Sequence, residues 1–160
     1  MTPEHLLDAI AEDIRAMFAG SRYKNSLGME RAVRVYSQDT PIRDGDDETV
    51  DATAPPEPYV VVRMNGGKVE AEGEPMQVQI TFVACVCDDA KDRQGFRDAL
   101  HFIWMIYQRY ARNGVVAQKF LIRHPIEWAL PETDTHPYYY AGLSMAAEAP
   151  AMTMKENPYT

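Results

Sequence analysis

The stretch IEWALPETDTHPYYYAGLSM, residues 126–145, gathers side chains that could do chemistry. His136 stands two residues from Asp134, and Tyr138, Tyr139 and Tyr140 follow directly. A histidine beside a carboxylate suits general acid–base work, but it needs a nucleophile and an oxyanion site before the pair means catalysis. The sequence around it supplies neither. Neighbouring residues of a strand also point to opposite faces, so the three tyrosines cannot share one pocket. The residues read instead as a turn bounded by Pro131 and Pro137 that leads into an edge-forming strand.

The other reactive side chains are sparser. Cys85 and Cys87 are the two cysteines of the chain. Two apart in a strand, they share one face, and a bond between them would close a small strained loop. They read as reduced thiols, and no second Cys/His pair follows at zinc-site spacing. The run DGDDE at 44–48 lacks the glycine and the distal glutamate of a calcium loop. His101 stands in a helical pattern without a partner residue. A nucleophile elbow, a phosphate loop, a dinucleotide fingerprint and a zinc-protease helix are all missing. No catalytic residue, cofactor or metal ligand is therefore assigned, and the chain does not read as an enzyme.

The whole chain sets the frame for these residues. It has 160 residues, 46% of them hydrophobic, which suits one domain over 1–150 and a short tail over 151–160. No apolar run is long enough for a membrane span, and the opening MTPEHLLDAIAED has no basic start or cleavage site of a secretion signal. The formal net charge of −8 argues against tight binding to DNA or to anionic membranes. An acidic wall repels phosphate, so it is compatible with DNA passing by without sticking.

Periodicity supplies the elements. Leu6, Leu7, Ile10, Ile14, Met17 and Phe18 predict a helix over 3–19, with Thr2 as its cap and Pro3 in the first position. A short strand is expected over 31–36, another over 59–64, and a turn at Asn65-Gly66-Gly67. Residues 76–87 give the clearest strand. Val78, Ile80, Phe82, Ala84 and Val86 fall on one face, and the other face turns apolar from Val83, as if that end were covered on both sides. A second helix is expected over 93–112, capped by Asp88, Asp89 or Asp92, with Phe96, Leu100, Ile103, Trp104, Tyr107 and Tyr110 as its apolar stripe. Trp104, Tyr107 and Phe82 are assigned to the core. Residues 119–123 and 126–130 read as a strand interrupted at Pro125, and 138–148 as the last strand. Between them, residues 37–58 are rich in acid and proline and read as a long mobile loop or arm. The order helix, strands, helix, strands predicts an α+β domain. Its sheet is antiparallel or mixed, and two main helices pack on one face.

The C-terminal half has a recognisable pattern. ALHFIWMIYQRYARNG is followed by KFLIRHPIEWALPE and then HPYYYAGLSMAAEAP. This resembles the tail terminator, or tail completion, proteins of long-tailed bacteriophages and prophages. Trp128, Leu130, Pro131, Pro137, Tyr138, Tyr139 and Leu143 carry the resemblance. It covers most of the chain except the acidic segment 37–58. The resemblance implies a structural virion protein, assembled in the bacterial host cytoplasm, at the head-proximal end of the tail. There it would form a homo-oligomeric ring, commonly a hexamer, on the last ring of the tail tube protein. It would stop tube polymerisation and meet the head-tail connector protein, with DNA only passing through the lumen. Exposed strand edges would close the ring. The expected contact residues are Trp128, Tyr138 and Tyr140, with Asp44, Asp46, Asp47 and Glu48 of the arm, since aromatic rings carry much of the binding energy at interfaces. A head-tail connector or a tail tube protein is the nearest alternative. A small ligand-binding or enzymatic α+β domain, with the Tyr/Trp cluster lining a pocket, is the alternative of a different class.

Overall fold

The computed structural model describes residues 2–24, 30–39 and 57–151. The first helix, α1 (Pro3–Phe18), starts where expected. The Thr2 hydroxyl accepts a hydrogen bond from the His5 amide at 3.3 Å, and Pro3 needs no amide partner in the first turn. Leu6, Leu7, Ile10, Ala11, Ile14 and Phe18 form its buried stripe. The helix ends where Ala19 turns extended (φ −59°, ψ 130°), and Gly20 at φ +84° completes the turn that the Ser21 amide closes on the Phe18 carbonyl at 3.1 Å. Strands β1 (Tyr23–Lys24) and β2 (Glu30–Arg31) then pair as a two-stranded ribbon.

The remaining strands build one six-stranded sheet. They are β3 (Arg34–Ser37), β4 (Tyr59–Val69), β5 (Met76–Cys87), β6 (Val115–Val116), β7 (Phe120–Ala129) and β8 (Tyr138–Ala149). Their order across the sheet is β3-β4-β5-β8-β7-β6. Only the β3–β4 pair is parallel, so the sheet is mixed. The expected α+β architecture is thus present. Helices α1 and α2 (Phe96–Arg112) share one continuous core with the inward face of the sheet, including Val60, Val62, Ile80, Phe82, Ala84, Leu143 and Met145. The opposite face carries a smaller cluster of Tyr59, Val61 and Cys85, packed by Tyr36, Val83, Tyr138 and Tyr140. The end of β5 is therefore covered on both sides, as its change of pattern predicts.

Four local expectations need correction. Asn65-Gly66-Gly67 is not the hairpin turn. It is a bulge inside β4, where Gly66 adopts φ +144° and the Asn65 amide donates to the Thr81 hydroxyl at 3.0 Å. The chain reverses later, between Val69 and Met76. Secondly, α2 begins at Phe96. Asp88 and Asp92 accept from the Ala90 and Gln94 amides and shape the preceding loop instead of capping the helix. Thirdly, β8 is an interior strand, paired with β5 throughout and with β7 over 142–148; its first four residues have no β7 partner. Lastly, Trp104 is not in the core, with 51% of its surface exposed.

Where the two helices meet, a polar contact closes the layer. Arg109 donates to the Asp13 carboxylate at 3.2 Å, and the buried Tyr110 hydroxyl donates to the same oxygen at 3.4 Å. Burial and the nearby Asp13 charge push the Tyr110 phenol well above its ordinary range. The fold therefore favours the neutral phenol. Its contribution is complete below pH ~10, the pKa of an unfolded tyrosine, and is lost as pH rises toward the folded value. Denaturant melts at pH 9 and pH 11 should show Tyr110→Phe losing less stability over that interval than wild type does.

Candidate interaction surface

The loop that holds His136 is a staple of backbone and side chains. The Asp134 carboxylate accepts from the backbone amide of His136 at 3.0 Å, so it does not orient the imidazole ring. Its other oxygen pairs with Arg93, and these two contacts hold the carboxyl below the usual carboxylate range. The His136 Nδ1 instead lies 2.7 Å from the Tyr139 hydroxyl. The Thr135 hydroxyl donates to the Tyr138 carbonyl. Tyr139 points into the helix side, where its ring rests against Gly95 so closely that a Cβ there would overlap it. The loop thus ties β8 to the start of α2. Among the described residues no group of three or more His, Cys, Asp or Glu is placed to hold a metal ion. No described helix is long and apolar enough to cross a membrane.

The surface with unsatisfied apolar area lies beside α2. Two adjacent stripes run along this helix. Ala99, Phe102, Ile103, Ile106 and Tyr110 are buried against the sheet and α1. Phe96, Leu100, Trp104 and Tyr107 form the second stripe, and they look sideways over β7. With Ile126, Trp128 and Leu143 they line a groove of about 650 Å³. The stripe read from the sequence mixes these two faces: it takes the groove residues as core and leaves out Phe102 and Ile106. Trp104 and Trp128 are 51% and 59% exposed. The Trp104 and Tyr107 rings lie tilted on each other with centroids 5.0 Å apart.

This groove follows from the width of the sheet. Helix α2 lies over β5 and β8 and touches β7 only lightly. Trp128 pairs across the sheet with Leu143, so both point to the helix side. The second half of β7 therefore projects past α2 and leaves one helix flank and one strand face without a cover.

The expected contact residues separate. Trp128 lies in the groove, whereas Tyr138 and Tyr140 are half-buried on the opposite face beside Tyr36, Tyr59 and Cys85. Asp44, Asp46, Asp47 and Glu48 lie outside the described residues. Sequence reasoning missed Trp104, Tyr107, Phe96 and Leu100 as groove residues. Their signal was present as a helix apolar over more than one face.

Strand edges are poor candidates for contact. β3 is four residues long, and its Val35 carbonyl already accepts from Arg15 at 3.2 Å. The Gln38 side-chain amide closes β4 at Met64, donating to its carbonyl at 2.9 Å and accepting from its amide at 3.1 Å. At the other end, β7 bulges between Arg123 and Glu127, around Pro125. Short length, capping groups, bulges and proline all discourage strand addition. The chain matches no family model, and no curated protein is similar to it.

Proposed function

We propose that this protein caps the tail tube of a long-tailed bacteriophage as an oligomeric ring, ending tube polymerisation and presenting the head-joining surface. One observation carries the reading. Helix α2 has two apolar stripes, and its own fold buries one of them. A helix with a spare aromatic stripe, beside an exposed tryptophan on a bare strand, suits a subunit that completes its core in an assembly. The resemblance to tail terminators, over most of the chain except 37–58, supplies the kind of assembly, and the acidic balance suits a lumen that DNA crosses without binding. In this reading the protein acts by occupying a surface, and needs no catalytic group, cofactor or metal.

The test is tube assembly. Tube protein from the same particle is polymerised with and without this chain, and lengths and ends are scored by electron microscopy. Shorter tubes carrying a terminal ring are expected. Unchanged lengths with bare ends would refute the cap. The groove also favours a second reading, a pocket for an apolar small molecule, because its volume falls in the ~300–1,000 Å³ range of ligand sites. A ligand screen by thermal shift addresses that alternative.

A further inference from the structure

The groove has a chemical counterpart elsewhere on the same chain. The β4–β5 hairpin is exposed from 65 to 74 without interruption. Val69, 52% exposed, is the last paired residue of β4; Lys68 before it pairs with Glu70 at 2.5 Å, and Glu72 and Glu74 follow in the loop, leaving the hairpin end net acidic. An apolar side chain thus stands beside a Lys68–Glu70 pair and two further solvent-facing carboxylates. The groove presents the complement. Its walls are Trp104, Trp128, Tyr107 and Leu100, its basic lining is Arg97 and His101, and no carboxylate lines it. Arg97 donates to Gln94 at 2.7 Å, and among the described residues no carboxylate forms an ion pair with it.

A chain cannot fill its own groove. Val69 pairs with Met76, while the groove lies over Leu143, whose partner on β5 is Phe82. Six residue steps of strand separate Met76 from Phe82, about 20 Å at ~3.3 Å per residue. Strand β7 is also three places across the sheet from β4. We infer that the occupant is a second copy of this chain: the Val69 tip of one subunit seats between Trp104 and Trp128 of the next, with its glutamates against Arg97 and His101.

The two surfaces differ, so the contact is heterologous and repeats from subunit to subunit until it closes. It rests on the ring reading and names the subunit contact within it. Charge across the rim sets orientation, and the desolvated aromatic walls supply affinity.

Two variants test it, both altered at exposed positions. One carries Glu70→Lys and Glu72→Lys; the other carries Arg97→Ala and Trp128→Ala, which removes the groove's charge without creating a partner for the new lysines. Circular dichroism and thermal melts confirm that each is folded, and sedimentation reads the association state. The wild type is expected to associate, and each variant alone to weaken association at least ~30-fold. An equimolar mixture should recover a dimer and stop there, because one intact hairpin then meets one intact groove. Wild-type-like assembly by either variant overturns the contact and leaves the ring itself standing. A mixture that stays monomeric while the wild type associates overturns it too. A wild-type chain that remains monomeric at all concentrations also overturns it, and tube capping is then decided by tube lengths alone.

Discussion

Phe82→Ala should cost the isolated domain about 3–5 kcal/mol, the range for removing a fully buried phenylalanine. Phe82 has no exposed surface and sits on β5 between Val62 of β4 and Leu143 of β8. Its ring stacks on Tyr110 of α2, with centroids 6.2 Å apart. The side chain therefore joins the middle of the sheet to the second helix. Deleting it leaves a cavity that both layers would have to collapse to fill. Against a typical total of roughly 5–15 kcal/mol, that is a large fraction. It corresponds to a fall in Tm of roughly 10 °C in a domain of this size. Phe82→Leu keeps most of the volume and should cost far less. Chemical denaturation of the three proteins checks this. A Phe82→Ala loss below ~1 kcal/mol would mean that this core does not hold the layers together.

The central strand was legible because its pattern and its environment agree. In β5 the residues Val78, Ile80, Phe82, Ala84 and Val86 alternate cleanly, and the strand has neighbours on both sides to enforce that alternation. The start of α1 was legible for a local reason, since Thr2 and Pro3 act within one turn. Features that depend on where the sheet stops were not legible. Asn65-Gly66-Gly67 has turn chemistry, yet β5 continues past it and keeps β4 paired, so the glycines relieve a bulge. Residues 138–149 alternate as any strand does, and alternation does not say how many neighbours the strand has. The second stripe of α2 shows the same limit most clearly. Helical spacing reports that Phe96, Leu100, Trp104 and Tyr107 share a side. Whether that side meets the sheet is set by strand order, and here it extends beyond β8 toward β7. The separation of Trp128 from Tyr138 and Tyr140 has the same origin. Adjacent in sequence across one hairpin, they are assigned to opposite faces by the β7–β8 register.

That separation allows interface and core to be told apart by experiment. Trp104→Ala and Trp128→Ala should leave the melting temperature of the subunit within a few degrees of wild type while each weakens assembly by ~30-fold or more, the effect of losing an aromatic hot spot of about 2 kcal/mol. Both rings keep about half of their surface in water, so truncation opens no closed cavity and removes little burial from the folded monomer. In an assembly the same rings would be desolvated together, and each would lose the other's support when one is removed. Their effects should therefore be non-additive, with the double variant falling short of the sum of the two. Tyr138→Ala provides the contrast. Its side chain packs against the Tyr59, Val61 and Cys85 cluster on the other face, so it should lower subunit stability first. Thermal melts and sedimentation on the same samples separate the two outcomes. If Trp104→Ala and Trp128→Ala instead destabilise the monomer as Phe82→Ala does, the groove belongs to the fold and the partner surface lies elsewhere.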